Sequence, residues 1–105
     1  MKRISLLAFT LAVPTFSYAA WPVLPAGEVI CDAWAPAMEQ AQYFLQGIDE
    51  LVKSKSCGRL KADTEYAVIG TEFIRDGNGK PVKAIPLIRI RKNGAIAYHV
   101  SKESL

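Results

Sequence analysis

The chain has 105 residues, with 13 Lys and Arg against 10 Asp and Glu, one His and two Cys, the size of one small domain. Half of it is apolar and about a fifth is charged, which excludes a disordered or collagen-like chain and a cysteine-dense scaffold. Composition of this kind speaks to compartment and architecture rather than to activity.

Lys2 and Arg3 precede a short, mainly apolar run over residues 4–13, and Pro14 then leads to the small residues Ser17 and Ala19. The pattern predicts a secretory signal peptide over residues 1–19, cleaved after Ala19. As a helix the apolar run would span about 15 Å, half of a hydrocarbon core of about 30 Å, so a membrane anchor is not expected. Residues 20–105 are expected to form a single globular domain, periplasmic or secreted, with no stable membrane insertion. Loss of Lys2 and Arg3 takes 13 basic residues to 11 against 10 acidic, which leaves little charge for binding nucleic acid or an anionic surface.

In an oxidising compartment Cys31 and Cys57 have one intramolecular pairing, predicted as a structural disulfide worth about 3 kcal/mol. With His99 they lack the ligand number and spacing of a zinc site.

Residues 20–29 carry Pro22, Pro25 and Gly27 without periodicity and read as an extended lead-in, with Trp21 available to dock. From Trp34 the apolar positions run Trp34, Met38, Ala41, Leu45, Ile48 and Val52. That spacing predicts an amphipathic helix from Ala35 to Ser54, with Glu39, Gln40, Gln42, Gln46, Asp49, Glu50 and Lys53 on its solvent side. A straight helix of that length covers about 27 Å, whereas disulfide-linked α-carbons lie within about 7 Å. The segment is therefore expected either to break at Gly47 into a helical hairpin or to be a shorter helix with frayed ends.

The run Ala41–Leu51, followed by Cys57 and preceded by Cys31, resembles the helical immunity proteins that bacteria export against type VI amidase effectors. The likeness covers about a quarter of the chain and rests on Tyr43, Gly47, Asp49 and Cys57. It implies an all-helical fold that binds another protein, whereas residues 82–100 here read as a hairpin and a C-terminal Cys is lacking.

Three segments, Glu65–Arg75, Val82–Lys92 and Ala95–Val100, are rich in β-branched and aromatic residues, the first two separated by the turn Asp76-Gly77-Asn78-Gly79. Tyr66, Ile69 and Phe73 also fit helical spacing behind Asp63 or Thr64, so residues 62–75 keep a helical alternative. For the last hairpin, a three-residue loop Lys92-Asn93-Gly94 pairs Ile90 with Ile96. This gathers Ile88, Ile90, Ile96, Tyr98 and Val100 on one face and Arg89, Arg91, Ala95, Ala97 and His99 on the other. The expected fold class is α+β: one amphipathic helix, or helical hairpin, packed on a three-stranded antiparallel β-meander, with one disulfide.

No catalytic set emerges. Asp76-Gly77-Asn78-Gly79-Lys80 has Lys80 where a calcium loop needs a ligand, and the sole His has no nucleophile placed beside it by the sequence. No metal or cofactor is expected. The function expected is a small exported envelope protein that binds another envelope or secreted protein, as inhibitor, immunity protein or assembly factor. The alternative is a structural subunit of a surface or secretion assembly that adds an edge strand to a neighbour. Candidate contact residues are Arg89, Arg91 and His99 on the hairpin's polar face, and Trp21.

Overall fold

Six strands, rather than three, make the sheet. A computed structural model describes residues 20–105, so the predicted leader lies outside the described residues. The elements are β1 (Val23–Leu24), β2 (Val29–Cys31), α1 (Trp34–Leu45), β3 (Cys57–Arg59), β4 (Thr64–Arg75), β5 (Pro81–Ile90) and β6 (Ile96–Val100). All strand pairs are antiparallel, in the order β1-β4-β5-β6-β2-β3. The expected helix-on-meander α+β fold is thus corrected to a mostly β fold, a curled half-barrel sheet with one short helix. The all-helical fold implied by the resemblance does not form either.

The correction arises in the shortest strands. The supposed lead-in contributes β1 and β2, which at two and three residues offer no alternation to detect. Strand β3 reads Cys-Gly-Arg and pairs because the Cys31–Cys57 disulfide sets those residues opposite each other, with α-carbons 4.0 Å apart. Only the corner Pro25–Glu28 separates β1 from β2, and it is a turn closed by Glu28 N–H to Pro25 O. Laid flat, the sheet would hold those strands about 19 Å apart, four spacings of about 4.8 Å. A turn cannot span that, so the sheet curls; Gly27 N–H to Leu60 O and Leu60 N–H to Glu28 O, each 2.8 Å, tie the corner to the end of β3.

The helix stops at Leu45, not Ser54. Gly47, at φ 80°, caps it: Gly47 N–H bonds to Phe44 O and Ile48 N–H to Tyr43 O, the paired bonds of a Schellman motif. Residues 48–56 return as an irregular segment, which resolves the disulfide's reach without a helical hairpin or frayed ends. The buried helix positions are Ala37, Gln40, Ala41 and Phe44, while Met38 and Leu45 are exposed. Gln40, expected in solvent, is instead fully buried: its Nε2 donates to Glu50 O (2.7 Å) and its Oε1 accepts Val52 N–H (3.0 Å). It holds the returning segment against the helix.

Residues 62–75 are strand rather than helix from Thr64 onward. The last hairpin is one residue out of the expected register: Leu87 pairs with Tyr98, Ile88 with Ala97 and Arg89 with Ile96. Asn93 Oδ1 accepts Ala95 N–H (2.9 Å), and Ile90 N–H bonds to Ala95 O, so the loop is Arg91–Gly94, with Gly94 at φ 72°. Tyr98 and Val100 consequently join Val29, Cys31, Ile85, Ile74 and Phe44 on the helix side. Ile88 and Ala97, both buried, lie on the other. The β5–β6 ladder ends at Leu87, beside Pro86, which has no N–H to extend it. Beyond it the fully buried Lys83 ammonium donates to the carbonyls of Ser101 and Glu103, and Leu105 N–H bonds to Val82 O. Burial holds the Lys83 pKa below its ordinary value, with Glu103 opposing the shift.

Candidate functional site

The longest strand has the least covered edge. β1 pairs with β4 only at Glu65 and Thr64, extended by Tyr66 N–H to Pro22 O at 3.0 Å. From Ala67 to Arg75 the outer side of β4 pairs with no strand among the described residues. Because Tyr66 points its N–H outward, the alternation of an antiparallel ladder turns that of Val68 outward too. Ile69 is the extra residue of a bulge between Val68, opposite Ile88, and Gly70, opposite Leu87. Bulges and charges are common ways to blunt an edge. Here the edge still carries Val68, Ile69 and Phe73 at 53, 44 and 45% exposure.

Next to this edge runs a groove of about 440 Å³, lined by Ala35, Met38, Glu39 and Gln42 of α1 and by Phe73, Ile74 and Arg75 of β4. Its floor follows from register: Ile74 lies opposite Lys83 and Glu72 opposite Ile85, so both project to the helix side, Ile74 into the core and Glu72 into solvent. Beyond Arg75 the chain reverses in a tight turn. Asp76 Oδ1 accepts the N–H groups of Asn78 (2.8 Å) and Lys80 (3.0 Å), and Gly79 sits at φ 81°.

The predicted contact residues do not form one surface. Arg91 and Trp21 meet, with the guanidinium 5.3 Å from the indole centroid, and Arg91 Nη1 donates to Glu65 Oε1 at 3.1 Å. Arg89 is exposed and opposite Ile96, whereas His99 lies on the other side of the sheet by register. The one-residue shift of the hairpin separates them. His99 Nε2 lies 2.8 Å from Glu28 Oε1, and that part-buried pair ties β6 to the β1–β2 corner. Asp49 Oδ1 and Oδ2 accept from Arg59 (3.1 Å) and Lys102 (2.9 Å), cross-linking the returning segment, β3 and the tail. Those bonds, Lys102's first, hold the Asp49 carboxyl below its ordinary pKa.

Among the described residues no three His, Cys, Asp or Glu side chains gather as metal ligands, and no helix is long and apolar enough to cross a membrane. The disulfide fits an extracellular or periplasmic location. Sequence reading missed the β4 edge because coverage depends on the length of β1, which lacks a sequence signal; the run Val68-Ile69 was the available hint. No protein-family model, curated protein or solved structure matches the chain.

Proposed function

We propose that this is a small exported protein that works by binding another envelope or secreted protein, and that β4 is its docking element. The observation that supports the reading is the open outer edge of Ala67–Arg75, which combines unpaired backbone groups with exposed Val68, Ile69 and Phe73. Such an edge recruits an extended segment through main-chain hydrogen bonds and selects it through side-chain contacts. The signal peptide over residues 1–19 delivers the chain to the compartment where the disulfide forms.

The test is Val68→Pro. Proline removes an outward N–H and leaves the ladder to β5 intact, since Val68 does not donate toward β5. The reading predicts that the wild type retains one protein from envelope extract at 1:1 stoichiometry, and that Val68→Pro loses it while melting within a few degrees of the parent. A Val68→Lys, Phe73→Lys pair is expected to behave alike. Retention of the same protein by both folded variants would remove β4 as the docking element.

A further inference from the structure

Resting on that reading, we propose what the added segment is: an extended strand of another protein, with basic side chains on its α1 side and apolar side chains on the other. A strand laid along β4 alternates its side chains between the two sides of the sheet. On the α1 side it meets Glu72 and the groove wall carrying Glu39 and Met38. Glu39 and Glu72 are exposed, and neither is in an ion pair among the described residues. Arg75, the cation lining the groove, is committed within its own turn: Nη1 donates to Gly79 O at 2.9 Å, and the guanidinium lies 5.9 Å from the Phe73 ring centroid. Arg75 keeps its charge in those contacts; the acidic positions facing an incoming strand on this side are Glu39 on the helix and Glu72 on β4, two carboxylates against one guanidinium. On the opposite side the strand meets Val68 and Phe73, both about half exposed; by register they share that side, and Phe73, at the strand's edge, also borders the groove.

A second copy of the chain fits this edge less well: its β4 carries Glu65 and Glu72 against Arg75 alone, so it brings no row of basic side chains to Glu39 and Glu72. A strand alternating Lys or Arg with Val, Ile or Leu satisfies both sides at once.

The test titrates isotope-labelled protein, disulfide intact, with a terminally blocked octapeptide alternating Lys and Val, followed by amide shifts and hydrogen exchange. Expected are shifts concentrated in residues 67–75, slowed exchange at Val68, and at least tenfold weaker binding when each Lys becomes Glu. In the Glu39→Lys, Glu72→Lys variant the preference should invert. Equal binding of both peptides along β4 would overturn the basic-strand proposal while leaving strand addition standing. No response along β4 to either peptide would overturn both. Equal binding of a Lys/Val peptide interrupted by proline would show attraction by charge alone and refute an added strand. Concentration-dependent pairing of β4 without peptide would assign the edge to a second copy and refute the proposal.

Discussion

Gln40 offers the sharpest test of how the fold is held. Its amide is fully buried and makes two bonds to the returning segment, to Glu50 O and from Val52 N–H. Gln40→Ala leaves the buried Val52 N–H without a partner, at about 1–3 kcal/mol, and removes a second bond worth about 0.5–1.5 kcal/mol, whose acceptor can turn to water. About 2–4 kcal/mol should be lost, from a domain whose whole stability is about 5–10 kcal/mol. The melting temperature should fall by at least about 8 °C. Gln40→Met keeps most of the volume and separates packing from hydrogen bonding: it should remain destabilised by about 2 kcal/mol in urea unfolding, with the Val52 amide exchanging faster than its neighbours. Wild-type stability for Gln40→Met, with Val52 still protected, would refute the clamp.

Cys31→Ser should cost about 2–5 kcal/mol in urea unfolding, because the bridge both constrains the unfolded chain and sets β3 against β2. Lys83 predicts an alkaline slope. Its folded pKa is depressed, so from that pKa up to the ordinary 10.5 the unfolded chain binds more protons and stability rises with pH. The slope should be absent from Lys83→Met, as the difference between the two thermal-melting profiles. Asp49 predicts the acid side: its depressed pKa contributes stability that is present above the ordinary 3.8 and is lost as pH falls through the folded value. Asp49→Asn should therefore flatten part of the acid branch of the melting profile.

The sequence carries the long elements and hides the short ones. Tyr66, Val68, Ile69 and Phe73 announce a strand through β-branched and aromatic composition, and Asp76–Gly79 announces its turn. Strands of two or three residues, such as Val23–Leu24 and Cys57–Arg59, have no period and exist because curl and disulfide bring partners to them. Gln40 was hidden for another reason. Its polarity assigns it to solvent in any helical projection, and only the returning segment's unpaired backbone makes it a buried residue. The disulfide's reach excludes a straight helix to Ser54 and leaves open whether the chain breaks at Gly47 or the helix is merely shorter, since distance constrains a chain whatever its composition. The hairpin register turned on Asn93, whose side chain takes the Ala95 N–H and shifts every facing pair by one. The open edge is a relation between β1 and β4, and no single residue encodes it.

Photo-crosslinking in the exporting cell shows whether the partner sits on β4. A benzophenone side chain is placed at position 68 or 73 on the open edge, and at position 53 on the returning segment. One adduct of defined mass, joined to a second protein, is expected from positions 68 and 73 and none from 53. Adducts from position 53 alone, with none from 68 or 73, would contradict that placement.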